Sequence, residues 1–187
     1  MRILVTKLSV DHKLPLKQIN QLFKDRYGYD LNSTTIEEAL ERGYDLAAPI
    51  VSQIMVHLLK EDTVHFDEAG VRVAGQLHWL HTAATEHHIH RFIHAKRGTE
   101  ALNSSASVRK DFKGAAVHDC WSPHFNFDEV RHVWCSAHLL RKLAGLKENG
   151  SWWAGERHEF GFDLYHGRAK GMNSALIYTK CHAPSLH

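Results

Sequence analysis

The chain has 187 residues, which is enough for one medium-sized domain and a small appendage. A content of 43% hydrophobic and 24% charged residues is that of an ordinary globular protein, and it excludes a disordered or fibrous chain. The net charge of +2 does not by itself indicate a nucleic-acid partner.

Three cysteines make no disulfide framework, and no apolar run reaches the length of a membrane span or of a signal-peptide core. We therefore expect a protein of the cytoplasm that does not associate with a membrane.

Residues 1–60 show helical periodicity. Pro15 precedes apolar residues spaced as on one helical face, and Gly28 follows them as a stop signal. A second apolar stripe begins near Thr34 and is interrupted by Pro49, so we expect either a kink or two consecutive helices. The segment is predicted to be a helix-turn-helix-like DNA-reading module or a helical spacer.

The period then changes to the alternation of strands. The predicted elements of residues 61–148 are strands at 63–67, 76–85 and 88–94, a short helix from 99, strands at 114–119 and 132–135, and a helix at 137–147. Tight turns, one of them at Ala74-Gly75, join the first three strands. This order predicts an α/β fold with a mixed (α+β) sheet, which is that of a ribonuclease-H-like core preceded by the helical segment.

Residues 149–187 have no sustained period and contain repeated glycines. We expect an irregular tail that is either loosely ordered or the product of a frame-shifted gene.

Two aspartates fall at the ends of predicted strands that are neighbours in such a sheet. Asp67 ends the first strand and Asp119 ends the fourth. Carboxylates at close range repel one another, and a divalent cation with hard oxygen preferences relieves that repulsion. Glu68 alternates to the opposite face of its strand and is not expected to be a ligand.

A competing interpretation is a zinc site. Cys135 and His138 form a CxxH pair, for which Cys120 or His132 would supply further ligands. The alternative for the same residues is that Cys135 is a small buried side chain and His138 faces the cleft.

Basic residues cluster in two segments that could meet a phosphate backbone. Six lie between positions 91 and 113, namely Arg91, Lys96, Arg97, Arg109, Lys110 and Lys113. A further four, with no acidic residue among them, lie between Arg131 and Lys147.

Several motifs in order resemble the transposases of insertion-sequence family sixty-six, a branch of the DDE transposases, over about residues 10–148. The matching stretches are 65–73 (HFDEAGVRV), 77–81 (LHWLH), 96–101 (KRGTEA), 112–114 (FKG), 117–121 (VHDCW) and 135–143 (CSAHLLRKL). The resemblance implies a ribonuclease-H-like core that cleaves and joins DNA strands at the ends of a mobile element.

By this resemblance Asp67 and Asp119 are the first two catalytic acids and ligands of Mg²⁺ (or Mn²⁺). Lys96, Arg97 and Arg141 are the implied DNA contacts, with the ends of the element and target DNA as partners. Because transposition usually requires a multimer, a homo-oligomer is also implied.

The family's third acid lies downstream in an Asn-Asn-x-x-Glu segment, and no such segment occurs here. Glu156 and Glu159 are the replacement candidates. We therefore expect a truncated or frame-shifted copy with little or no activity. The alternatives are a non-catalytic nucleic-acid-binding remnant and a zinc-stabilised domain.

Overall fold

The computed structural model describes residues 1–169, which divide between two compact units, residues 1–53 and the chain from Ile54 onward. The predicted tail therefore lies in part, at residues 170–187, outside the described residues. Within the described part, no helix combines the length and the apolar character that crossing a membrane requires.

The first unit is helical, as predicted. It contains α1 (Arg2–Val10), α2 (Leu16–Tyr27) and the first part of α3 (Ser33–Lys60). Pro15 stands at the start of α2, and Gly28 ends it in the left-handed conformation with a φ of 64°. Side chains from all three helices and from the loop before α3 form one core, made of Val5, Ile19, Phe23, Leu31, Ile36 and Ala39.

Two details differ from the sequence-based prediction. The helix α1 was not predicted, and α3 is one continuous helix with Pro49 inside it, which excludes two consecutive helices, one of the two alternatives for this segment. Asn32 starts α3 by accepting a hydrogen bond from the Thr34 N–H at 2.9 Å.

A five-stranded mixed sheet organises the second unit. Its strands are β1 (Thr63–Val73), β2 (Gln76–Ala84), β3 (Ile89–His94), β4 (Ala115–His118) and β5 (Arg131–Trp134). The spatial order is β3-β2-β1-β4-β5. β1 pairs with β2, and β2 with β3, in the antiparallel sense, whereas β1–β4 and β4–β5 are parallel. This is the predicted ribonuclease-H-like arrangement.

The turn between β1 and β2 fixes their register. Ala74 and Gly75 both have positive φ, 49° and 79°, as the two-residue turn of a twisted hairpin requires. The hairpin then pairs from Val73 with Gln76 back to His65 with Ala84. β1 is longer than predicted because this pairing continues six residues beyond Asp67, to Val73.

The main core of this unit lies on one face of the sheet. Its members are Leu58, Val64, Phe66, Ala83, Val108, Phe112, Ala116 and Val130. The short helix α4 (Thr99–Leu102) and a 3-10 turn (Ser122–Asn126) contact each other, and Ala101 and Leu102 of α4 are buried.

After β5 the chain forms α5 (Ser136–Glu148) and then α6 (Trp152–Ala169), which pack together. The expectation of an irregular tail is wrong for residues 152–169. Two glycines of α6 allow a close approach: a Cβ added at Gly161 would lie 3.1 Å from Leu140 Cδ2, and one at Gly155 would lie 3.7 Å from the Lys147 side chain. Of the glycines that suggested irregular chain, Gly155 and Gly161 therefore lie where α6 meets α5.

Candidate active site

Asp67 and Asp119 are carried by adjacent strands. β1 and β4 run in parallel with Thr63 opposite Ala115 and His65 opposite Val117. Asp67 lies two residues beyond the last β1 residue paired with β4, and Asp119 lies two residues beyond that residue's partner, just after β4 ends. The parallel pairing therefore puts the strand that contains Asp67 beside the strand that ends one residue before Asp119.

Asp67 is the more open of the two. Its side chain is 62% exposed, and its Oδ1 accepts the N–H of Glu68 at 3.0 Å. His138, in the first turns of α5, places Nε2 at 3.9 Å from Asp67 Oδ1. The imidazole of His138 therefore faces this carboxylate, as one of the two interpretations of that residue predicted.

Asp119 is held from several sides and is 21% exposed. Its Oδ1 accepts the N–H of Trp121 at 3.0 Å, and its Oδ2 lies 3.4 Å from Arg97 Nη2. Lys142 of α5 donates to the backbone carbonyl of Asp119 at 3.1 Å. Cys120, with a φ of 66°, is in a strained left-handed conformation that turns the chain sharply after β4.

Glu68 is the residue that sequence reasoning missed. Its side chain is only 2% exposed, although it carries a carboxyl group. The neighbours of its oxygens are His124 Nε2 at 3.1 Å from Oε1, Arg97 Nη2 at 3.4 Å from Oε2, and His81 Nδ1 at 4.0 Å from Oε1. The sequence signal for this role was the position of Glu68 in the alternation of β1. Glu68 falls on the same face as the buried residues Val64 and Phe66, and a carboxylate buried there needs partners.

Arg97 joins these two carboxylates and is itself stacked between indole rings. The guanidinium carbon lies 4.0 Å from the centroid of the Trp121 ring and 5.1 Å from that of Trp79. The side chain is 27% exposed. Predicted as a DNA contact, Arg97 is found in the structure as the cation between Glu68 and Asp119.

A chain of hydrogen bonds fixes the buried histidines beside the site. His132 Nε2–H donates to the Phe127 carbonyl at 3.2 Å, so its Nδ1 accepts from His118 Nε2–H at 2.9 Å. The remaining nitrogen of His118, Nδ1, accepts the N–H of Cys120 at 3.3 Å. Both histidines are therefore neutral and have defined tautomers.

This hydrogen-bonded chain bears on metal binding. Among the residues that the structure describes, His118, Asp119 and His124 place potential ligand atoms within 4.8 Å of one another. Because both nitrogens of His118 are already engaged, it could bind a metal only after losing a hydrogen bond. The other two members of the group, Asp119 and His124, do not depend on that pair of histidines, and His124 Nδ1 has no hydrogen-bond partner among the described residues.

The CxxH pair is not part of that group of potential ligands. Cys135 packs against Ala115, Val117 and Val133 as a small hydrophobic side chain, and His132 is engaged with His118 and Phe127. The positions of these residues favour the buried-cysteine interpretation over zinc.

Acid is expected to destabilise this region. Burial, with smaller contributions from neighbouring His124, His132 and Arg109, lowers the pKa of His118 from 6.5 to about 3. Between pH 6.5 and pH 3, His118 is protonated in the unfolded chain but stays neutral in the folded chain. The free energy of unfolding therefore falls as the pH is lowered through this range. We expect a loss of roughly 1.4 kcal/mol per pH unit from this group. Urea unfolding at a series of pH values measures it.

In a His118→Gln variant, the unfolding free energy should no longer fall by this amount per pH unit. The control His87→Gln changes an exposed histidine and should show the same pH dependence as the wild type. Equal slopes in the wild type and His118→Gln would contradict the expectation.

The remaining predicted residues are spread around the site. Lys96 and Arg141 are exposed, but Arg109 is 1% exposed and lies over the rings of Phe66 and Phe127, so it does not belong to a basic surface. Glu156 and Glu159 are exposed on α6, and Glu159 lies 3.7 Å from Lys147 Nζ.

A mixed sheet of this strand order, with one acid on its central strand and a second at the end of the parallel neighbour, defines a ribonuclease-H-like protein. The sequence model of the Transposase IS66 family matches residues 2–171, and the chain belongs to that family. The match includes α1 and continues through α6, well beyond the stretch over which the motifs alone carry the resemblance. A search of curated proteins finds no match to the chain.

Proposed function

We propose that this chain carries two ligands of the divalent-metal site of a DNA transposase, Asp67 and Asp119, with Mg²⁺ or Mn²⁺ as the ion. The observation that supports this most directly is the parallel pairing of β1 with β4, after which each aspartate follows two residues beyond the last paired residue of its own segment. Membership of the transposase family supplies the reaction class, cleavage and transfer of DNA strands.

The donors fit such an ion. Carboxylate oxygens are the ligands that Mg²⁺ and Mn²⁺ prefer, and both ions keep several positions for water or substrate. The 62% exposure of Asp67 leaves that space on its side of the site. When bound, the ion would stabilise charge on a phosphodiester that is being cleaved.

The chain's own groups would position that site. The Trp121 N–H orients Asp119 Oδ1, and Lys142 holds the Asp119 backbone. Lys96 and Arg141, both exposed, would meet phosphates. Arg97 would add a positive charge next to Asp119, because its Nη2 lies between the carboxylates of Asp119 and Glu68.

Among the described residues, neither of the candidates for the family's third carboxylate contacts the two aspartates. Neither Glu156 nor Glu159 is hydrogen-bonded or ion-paired to either aspartate in the described part of the chain, and Glu159 pairs with Lys147. We propose that the chain alone binds DNA and metal but does not cleave DNA, because charge stabilisation by a missing ligand is lost.

The test uses the purified chain and duplex DNA that carries the ends of the mobile element. Electrophoretic mobility shift measures DNA binding, and gel analysis of nicked product with Mg²⁺ or Mn²⁺ measures cleavage. We expect binding without nicking. Sustained nicking would refute the proposed inactivity and support a complete enzyme, whereas absence of both DNA and Mn²⁺ binding would refute the transposase site.

A further inference from the structure

One nitrogen of Arg97 is shared between two carboxylates. Arg97 Nη2 lies 3.4 Å from Glu68 Oε2 and 3.4 Å from Asp119 Oδ2. The trio Glu68–Arg97–Asp119 therefore carries one positive and two negative charges, and neither carboxylate has the cation to itself.

The guanidinium also contacts two aromatic rings. It is stacked between Trp79 and Trp121, at 5.1 and 4.0 Å from the ring centroids. Trp121 also donates its backbone N–H to Asp119. The position of Arg97 is consequently set by the two rings together with the balance between Glu68 and Asp119.

Glu68 cannot act as a metal ligand in this arrangement. Its side chain is 2% exposed, and its two oxygens face His124 Nε2 at 3.1 Å and Arg97 Nη2 at 3.4 Å. Asp119, in contrast, is 21% exposed and can be reached from solvent. Among the neighbours of Glu68, Arg97 is the one that also lies within ion-pair distance of Asp119, so the effect of Glu68 on the ion is expected to act through Arg97.

We propose that Glu68 is a positioning residue that draws the charge of Arg97 away from Asp119, so that Asp119 stays able to bind a divalent cation. This inference rests on the proposed metal site. Without the Glu68 charge, Arg97 would pair with Asp119 alone, and a cation entering the site would have to compete with a full ion pair.

The test measures the dissociation constant of Mn²⁺ by electron paramagnetic resonance for the wild type, Glu68→Gln, Arg97→Gln and the double variant. We expect Glu68→Gln to weaken Mn²⁺ binding about tenfold, which reflects an interaction near 1.4 kcal/mol. Arg97→Gln should bind at least as tightly as the wild type. The double variant should match Arg97→Gln, because the effect of Glu68 requires Arg97.

Glu86→Gln, at an exposed turn position between β2 and β3, is the control for loss of one negative charge and should bind Mn²⁺ like the wild type. Far-ultraviolet circular dichroism and thermal unfolding check that each variant is folded. If Glu68→Gln does not fold, Arg97→Gln alone still decides, because weaker binding by that variant would overturn the proposal.

Three results would overturn the inference: wild-type affinity in Glu68→Gln, an equal loss when Glu68→Gln is added to Arg97→Gln, or an equal loss in Glu86→Gln. The Mn²⁺ affinity of an Asp119→Asn variant distinguishes a wrong role for Glu68 from a wrong metal site. If the wild type binds no Mn²⁺, or if Asp119→Asn binds as the wild type does, the proposed function fails and the inference fails with it. If Asp119→Asn alone loses binding, only the role of Glu68 is wrong.

Discussion

A Gly114→Ala variant is expected to lose about 3 kcal/mol of unfolding free energy, since overpacking against backbone cannot be relieved locally. The added Cβ would lie 2.7 Å from the carbonyl oxygen of Asp62, 2.9 Å from that of Glu61 and 2.7 Å from Phe112 Cζ. Two of these three atoms are backbone. Real Cβ atoms do not approach so closely, so the chain on one side has to move.

The movement would break the junction at which β4 enters the sheet. The Asp62 carbonyl accepts the N–H of Ala115 at 2.8 Å, and the Gly114 carbonyl accepts that of Arg131 at 3.1 Å. Urea unfolding followed by circular dichroism measures the loss. Gly98→Ala is the matched control, because a Cβ there meets nothing within 4 Å, and its effect should stay within about 0.5 kcal/mol. Similar midpoints for the two variants would contradict the expectation.

An Asp119→Asn variant is expected to weaken Mn²⁺ binding about a hundredfold or more, because a neutral amide replaces one of two proposed anionic ligands. Asp67→Asn should do the same. DNA binding should change by less than about threefold, since the proposed phosphate contacts, Lys96 and Arg141, are basic side chains at other positions. Electron paramagnetic resonance and mobility-shift titration measure the two properties on the same preparations.

Asp128→Asn removes an exposed carboxylate from the loop before β5 and should leave both properties unchanged. A different outcome, in which Asp119→Asn keeps its metal but loses its DNA, would show that Asp119 serves the nucleic-acid surface and not the metal.

The hairpin and the helix boundaries could be predicted from sequence because local rules determine them. Alternation from Thr63 and the Ala74-Gly75 turn specify β1 and β2, while Pro15 and Gly28 bound α2. The strand order, by contrast, depends on parallel pairing between β1 and β4, which no local signal encodes. It was predicted from the order of elements and the family resemblance.

Two helices, α1 and α6, were not predicted from the sequence. The apolar pattern of α1 is too short to indicate a helix, and the sequence of α6 is rich in glycine. α1 has only nine residues, and its stability comes from packing Val5 against α2 and α3. In α6, glycine lowers intrinsic helix propensity, but Gly161 lies against Leu140 and lets the helix approach α5. Tertiary packing outweighed local preference in both.

Glu68 was missed for a related reason. Alternation places it on the face opposite Asp67, and the prediction drawn from that was only that Glu68 is not a metal ligand. Its partners His81, Arg97 and His124 come from three other segments of the chain, so their convergence is visible only in the fold. Conversely, the location of Asp67 and Asp119 on neighbouring strands followed from the strand order once that order was known.

The sheet changes width along β1. Residues 63–65 lie between two paired neighbours, whereas the stretch from Phe66 to Val73 pairs only with β2 among the described residues. Asp67 therefore lies just past the point where β1 stops pairing with β4. From there on, the described sheet on that side consists of β1, β2 and β3 only. Because no described strand pairs with β1 on that side at this position, the Asp67 carboxylate is next to an unpaired sheet edge, and its side chain is 62% exposed.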